Sequence, residues 1–395
     1  MISQAVILAG GRGTRLKPLT DSRPKPMIEF YGKPFLEYLI TNLREQGITR
    51  VLLLLGYLPR VIQDHFGDGS RFGVKIEYSV TGEENDTGKR LFLAKELIAD
   101  RFLLMYCDNY WPIRLKEMWQ QYLQQNVAAQ ITVYSNKDRY TRDNVDIGED
   151  RIVRQYDKSR TADNLRGVDI GFAILKKLVL DHLPDTNVSF ESVVYPLLVA
   201  QKQLAAFVSD HRYYSVGSFP RLELTKEFLR FAPAIILDRD GVLNEKPPKA
   251  EYVKNWSEFK WLPGSKEAVA LLKKAGYRII LVSNQAGIAR GVMTEADLAE
   301  IHTNMKREVA AIGGGIDAIY HCPHGWDSGC ECRKPRAGML FQAQRDFQLD
   351  LTRTYFIGDD DRDGMAGESA GCKFIKVSAA DPLLKAVSVI LEARK

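Results

Sequence analysis

The chain has 395 residues, long for one domain and enough for two that each bury a core. With 45% hydrophobic and 27% charged residues it has a globular composition, and a net charge of +5 without a dense Lys/Arg run argues against a nucleic-acid partner. No apolar run approaches the roughly 18 residues of a membrane span, and Met1-Ile2-Ser3-Gln4 lacks the charged start of a secretion signal, so neither a membrane partner nor export is expected.

From the N-terminus, short apolar runs alternate with amphipathic stretches. Strands are predicted at Ala5–Leu8, Arg50–Leu55, Val74–Ser79, Phe102–Cys107, Ala129–Tyr134 and Gly167–Leu175. Helices are predicted at Phe35–Gln46, Pro59–His65, Lys89–Ile98, Leu115–Gln124 and Arg221–Arg230, and Asn136–Arg166 reads as irregular. A second series takes strands Ala234–Leu237, Tyr277–Val282, Ala318–His321, Thr354–Ile357 and Phe374–Val377. Its helices are Ser265–Ala275, Glu295–Ala311 and Gly338–Phe347. Alternation at this spacing predicts two α/β domains with largely parallel sheets, residues 1–230 and 231–395.

The first strand runs straight into Leu8-Ala9-Gly10-Gly11-Arg12-Gly13-Thr14-Arg15. Glycines at 10, 11 and 13 let backbone N–H groups approach phosphate, and Arg12, Arg15 and Lys25 bring positive charge to the same place. The full string LAGGRGTRLKPLT…PKPM resembles the signature of the sugar-1-phosphate nucleotidyltransferases, over roughly residues 1–225. The resemblance implies a doubly wound, Rossmann-like domain that takes an NTP and a sugar phosphate as small-molecule partners. It places the nucleotide at Leu8, Gly10, Gly11, Gly13, Thr14 and Arg15, with Arg15 and Lys25 acting on the phosphates. It makes Asp108, at the end of the fourth strand, the Mg²⁺ ligand. It also assigns Asp157, Lys158, Asp169 and Gly171 to the sugar phosphate. Ser215 stands where the family usually carries a second metal-binding aspartate, which leaves a binding-only, nucleotide-sensing domain as an alternative.

The second series opens with Asp238-Arg239-Asp240 directly after an apolar strand. Two carboxylates at a strand end can share nucleophilic and acid/base work. Ser283-Asn284-Gln285, Arg333-Lys334-Pro335 and Gly358-Asp359-Asp360-Asp361-Arg362-Asp363 follow later strands. Four elements in this order resemble the motifs of the haloacid dehalogenase superfamily. That resemblance makes Asp238 the nucleophile, Asp240 the general acid/base, Ser283 and Lys334 the phosphoryl contacts, and Asp238, Asp240 and Asp359 a Mg²⁺ site. Asp363 is expected to assist from behind, and Asp360 and Asp361 to be solvated.

Cys322, His324, Cys330 and Cys332 supply three thiolates and an imidazole within eleven residues, the donor set of a closed structural Zn²⁺ site. With Asn284-Gln285-Ala286-Gly287-Ile288-Ala289-Arg290, this loop resembles heptose 1,7-bisphosphate 7-phosphatases and their relatives, the histidinol-phosphate phosphatases. Asn284, Arg290 and Arg333 then become substrate contacts. Joined, the two resemblances imply a cytoplasmic enzyme that removes a 7-phosphate and transfers a nucleotidyl group, guanylyl by preference, to the heptose 1-phosphate. Asp86-Thr87-Gly88-Lys89-Arg90-Leu91 looks somewhat like glucose-1-phosphate cytidylyltransferases and supports, as the competing reading, cytidylyl transfer with a phosphatase acting on another sugar or polyol phosphate. Homo-oligomerisation is left open.

Overall fold

Runs such as Gln4–Ala9, Ala129–Tyr134 and Ala234–Leu237 have every side chain buried, which requires sheets covered on both faces by helices. The computed structural model, which describes residues 2–393, meets that requirement twice. One unit of the chain ends at Leu229 and the next begins at Arg230.

The first unit holds a seven-stranded sheet: β1 (Gln4–Ala9), β2 (Arg50–Leu55), β3 (Lys75–Val80), β4 (Arg101–Tyr106), β5 (Ala129–Tyr134), β6 (Val168–Lys176) and β7 (Leu204–Ser209). Their order across the sheet is β7-β5-β6-β4-β1-β2-β3. All neighbours are parallel except β6, which runs antiparallel to both β4 and β5. Glycine 10 and Cys107 follow the ends of adjacent parallel strands, so the glycine loop and Asp108 emerge side by side at the carboxyl edge, where open α/β sheets bind ligands.

Several parts of this unit differ from the sequence expectation, among them the edge strand β7, which was not predicted. The Lys89–Ile98 stretch divides into an α-helix, Thr87–Leu93, and a 3-10 turn, Lys95–Leu97, with Ala94 between them. The stretch read as irregular contains a short hairpin, Val145–Ile147 against Val153–Tyr156. The helix Phe190–Ala200, unpredicted and containing Pro196, packs Phe190, Val194, Tyr195 and Leu198 into the core.

The second unit has a five-stranded, all-parallel sheet: β8 (Ala234–Leu237), β9 (Arg278–Asn284), β10 (Ala318–Cys322), β11 (Tyr355–Gly358) and β12 (Lys373–Lys376), ordered β10-β9-β8-β11-β12. The central strand β8 delivers Asp238, flanked by Ser283 at the end of β9 and Asp359 after β11. Two helices escaped the sequence reading, Asp361–Ala370 and Leu383–Glu392. The first is capped by Asp360, whose side chain accepts from Arg362 N–H, while Asp363 accepts from Asp360 N–H. No helix among the described residues is long and apolar enough to cross a membrane.

Candidate active sites

In the first unit the glycine loop is held from below by a side chain the sequence reading did not single out for this role. The Arg90 guanidinium is buried and donates to the carbonyls of Leu55, Gly10, Gly82 and Glu83 and to Thr81 Oγ1. A Cβ on Gly10 would stand 2.3 Å from Arg90 Cζ, and one on Gly56 2.3 Å from Arg90 Nη2. Those glycines therefore leave room for a buried cation beneath the loop. Gly13 adopts φ +66° and accepts from Thr20 Oγ1 through its carbonyl, turning the chain into the 3-10 helix Thr14–Leu16. Gly11, Thr14 and Arg15 are exposed beside it, whereas the Leu8 side chain lies in the core, leaving its main chain to carry any ligand contact.

Lys25 Nζ reaches Asp108 Oδ2 at 2.7 Å. Burial works against the lysine charge, and Asp108 with Cys107 more than reverses it, so the ammonium is held above its usual range. Ser215 pairs with Asn109, and Val216 N–H donates to Asp108 O at 2.9 Å, which puts the serine element beside the carboxylate.

The expected sugar-phosphate residues fall into two groups. The Asp157 carboxylate accepts from the Ser159 hydroxyl and from the N–H groups of Ala162, Thr161 and Ser159, which hold it well below the usual range and tie its own turn. Lys158 pairs with Glu191 at 3.1 Å. Asp169, half-buried, accepts from Tyr156 Oη and Gly171 N–H, and burial followed by the nearby Glu191 pushes its carboxyl up to about 7. Gly171 sits at φ +80° with Tyr106 so close that a Cβ would meet its ring at 2.9 Å. Glu191 was missed because it belongs to the unpredicted helix.

In the second unit Lys334 is 2% exposed and bridges Asp238 Oδ1 at 2.8 Å and Asp363 Oδ1 at 2.7 Å, also donating to Val282 O. Burial works against its charge, and the two carboxylates, Asp238 first, more than reverse that and hold the ammonium above its usual range. Asn284 clamps the Lys334 backbone from both sides, Nδ2 to its carbonyl and Oδ1 from its N–H, each at 3.0 Å. Asn284 thus positions the lysine as well as facing the cavity. Burial raises the Asp238 carboxyl, with Lys334 opposing.

Three carboxylates of this unit form a cluster that could hold a cation. Oxygens of Asp238, Asp359 and Asp363 come together within 4.8 Å, so Asp363, expected only to assist from behind, stands among them. The Asp240 carboxylate is instead taken by the buried Arg239 (3.0–3.1 Å), Asn244 (2.9 Å) and Gln285 (3.1 Å), which outweigh burial and keep it below its usual range. Asp359 Oδ1 is buried without a hydrogen-bond partner, as an oxygen awaiting a hard cation would be. Asp360, expected to be solvated, pairs with Arg362 and Lys246. Ser283 is buried and accepts from Gln285 Nε2 at 2.7 Å.

A cavity of about 820 Å³ opens onto Asp238, Asp240, Ser283, Asn284, Arg333 and Lys334. Arg290 is not on its wall; its guanidinium lies 5.1 Å from the ring centre of Trp326, which is. Beside it, Cys322 Sγ is 3.6 Å from both His324 Nδ1 and Cys330 Sγ, Cys332 Sγ is 3.6 Å from Cys330 Sγ, and His324 Nδ1 is 3.2 Å from Cys332 Sγ. A tetrahedral site with arms of about 2.0–2.3 Å has edges of roughly 3.3–3.8 Å, so these four atoms fit Zn²⁺.

Two families match different parts of the chain. The nucleotidyl transferase family matches residues 4–217, and the HAD-hydrolase-like family residues 331–380. The D-glycero-beta-D-manno-heptose-1,7-bisphosphate 7-phosphatase of Bordetella bronchiseptica is 46% identical over 138 residues, 35% of this chain and 76% of that protein. Its Pseudomonas aeruginosa counterpart is 41% identical over 143 residues, 36% of this chain and 79% of that protein. Among solved structures, HddC from Yersinia pseudotuberculosis shares 28% identity and a TM-score of 0.50, covering 58% of this chain and all of that one.

Proposed function

The chain belongs to the nucleotidyl transferase family and to that of the D-glycero-beta-D-manno-heptose-1,7-bisphosphate 7-phosphatases, and from these two memberships we propose that it catalyses successive steps in making a nucleotide-activated heptose. The second unit removes the 7-phosphate of a heptose 1,7-bisphosphate. The first then joins the remaining 1-phosphate to a nucleotidyl group, GMP from GTP by preference, with release of pyrophosphate. Both steps use small, soluble substrates and are assigned to the cytoplasm.

The Asp238–Lys334–Asp363 arrangement carries the phosphatase half. Asp238 attacks phosphorus, the sugar oxygen leaves, and water then opens the aspartyl-phosphate. Lys334 and Ser283 hold the transferring group. Asp240 is the general acid/base, and surroundings that keep it ionised favour its work on the water. Asp238, Asp359 and Asp363 would hold Mg²⁺, which supplies charge neutralisation at the phosphoryl oxygens. Zn²⁺ on Cys322, His324, Cys330 and Cys332 would fix the loop that ends in Arg333 and Lys334.

The transferase half rests on Lys25 and Asp108 beside the glycine loop. Gly10, Gly11, Gly13, Thr14 and Arg15 receive the triphosphate, Lys25 neutralises it, and Asp108 would hold Mg²⁺. In-line transfer to a phosphate oxygen needs positioning and charge stabilisation more than covalent chemistry. Lys158 and Asp169 serve the sugar phosphate, and the guanylyl preference is supported by resemblance to heptose-1-phosphate guanylyltransferases.

The test supplies the α or the β anomer of D-glycero-D-manno-heptose 1,7-bisphosphate with Mg²⁺ and equal ATP, CTP, GTP and UTP, and identifies products by mass spectrometry. A single GDP-heptose is expected from one anomer. Free phosphate without any nucleotide sugar would remove the transferase reading, and a CDP product would replace guanylyl with cytidylyl transfer.

A further inference from the structure

Lys246 lies outside every motif used above, on the segment that follows Asp238-Arg239-Asp240 and its turn. Its ammonium is 2.7 Å from Asp359 Oδ2 and 3.1 Å from Asp360 Oδ2. Asp360 already has the Arg362 guanidinium on both oxygens, at 2.9 and 3.0 Å, so the pairing that matters is with Asp359. That carboxylate is held by Oδ2 and packed over Gly241, where a Cβ would come within 2.4 Å of it, while Oδ1 is buried and unpartnered. The segment that Lys246 begins, through Pro247, Pro248, Lys249 and Tyr252, walls the cavity over Asp238. Lys246 thus fastens a wall of the phosphatase cavity to a carboxylate of the cation site.

We propose that Lys246 is a tethered counter-ion of the phosphatase cation site: it neutralises Asp359 while no divalent cation is bound, and is displaced into the cavity, with the segment it begins, when one binds. The inference rests on the reading of Asp238, Asp359 and Asp363 as cation ligands. Its direction follows from relative strengths. A divalent charge and an ammonium sharing one carboxylate repel strongly at protein-like dielectric. Against this, Lys246 is 45% exposed on a flexible stem, and an exposed pair of that kind contributes little. The lysine therefore yields, and the cavity that receives it is where the substrate's phosphate would offer a replacement partner.

Hydrogen exchange on the full chain, titrated with Mg²⁺ alone, tests this. Peptides covering residues 356–365 report cation binding, and those covering 245–252 report the wall. In the unsubstituted protein, protection of 356–365 should be accompanied by faster exchange in 245–252. Lys246→Ala should lower the Mg²⁺ midpoint by about two- to fivefold, because a competing charge is gone, and make 245–252 exchange fast at every concentration. Lys246→Arg should behave like the unsubstituted protein. Equal or higher midpoints in Lys246→Ala, or a wall indifferent to Mg²⁺ in the unsubstituted protein, would overturn the proposal while leaving the cation site standing. No response of 356–365 in any variant would remove the cation site and the proposal with it.

Discussion

Lys25 Nζ and Asp108 Oδ2 lie 2.7 Å apart although 83 positions separate the residues in sequence. The contact joins the expected phosphate-binding cation to the expected metal ligand. Lys25→Ala should therefore remove both the charge that meets the triphosphate and the partner that orients Asp108. Nucleotidyl transfer should fall by about 10²–10³-fold, the scale of losing one positioned electrostatic group. Phosphate release from the bisphosphate should be unchanged, and separate pyrophosphate and phosphate assays check this.

Asp238→Asn and Lys334→Ala should separate chemistry from stability. The amide keeps the carboxylate's shape and leaves Lys334 paired with Asp363, so activity should fall on the order of 10⁴-fold with little change in thermal unfolding. Removing Lys334 leaves two buried carboxylates facing each other and should cost about 3–5 kcal/mol as well as activity. Calorimetry of the full chain beside a phosphate-release assay measures both.

The four-donor cluster predicts about one Zn²⁺ per chain by elemental analysis. Cys330→Ser, or a strong chelator, should lose that metal. The unfolding transition of the second unit should then fall by roughly 10 °C or more, since metal binding contributes directly to the folding of such loops. Nucleotidyl transfer should persist.

Asp169 makes stability depend on pH. Its carboxyl rises from 3.8 to about 7 on folding, first through burial and then through Glu191. Between those values the folded protein keeps a proton the unfolded chain has released, so stability falls as pH rises from about 4 to about 7 and levels off above. A full shift of that size would be worth about 4 kcal/mol, but Asp169 is partly solvated, so about 1–2 kcal/mol is expected. Asp169→Asn should flatten that part of the profile, seen in the melting temperature from pH 5 to pH 8.

Much of the architecture was legible because strands buried on both faces read as short apolar runs; Arg50–Leu55, Ala129–Tyr134 and Ala234–Leu237 have the boundaries the pattern predicts. The helix Phe190–Ala200 was not legible, since its apolar residues run almost continuously and Pro196 interrupts the expected period. With that helix went Glu191, and with it the cause of the raised Asp169 carboxyl. Asp361–Ala370 was hidden in an acidic run whose capping role appears only once Asp360 and Asp363 close on each other's backbone.

By itself, the sequence determined the residue types that chemistry requires, because motif spacing at strand ends is a local property of the chain. Glycines before Arg15, the Asp238–Asp240 pair and the Cys322–Cys332 donor set are of that kind. Only the tertiary structure decided which charges meet. Lys334 could have served one aspartate and serves two, the Asp240 carboxylate is claimed by Arg239, and Arg90 fills a space that Gly10 and Gly56 leave open. Such pairings depend on burial and distance between segments far apart in sequence, where removal from water makes each unpaired charge costly enough to select its partner.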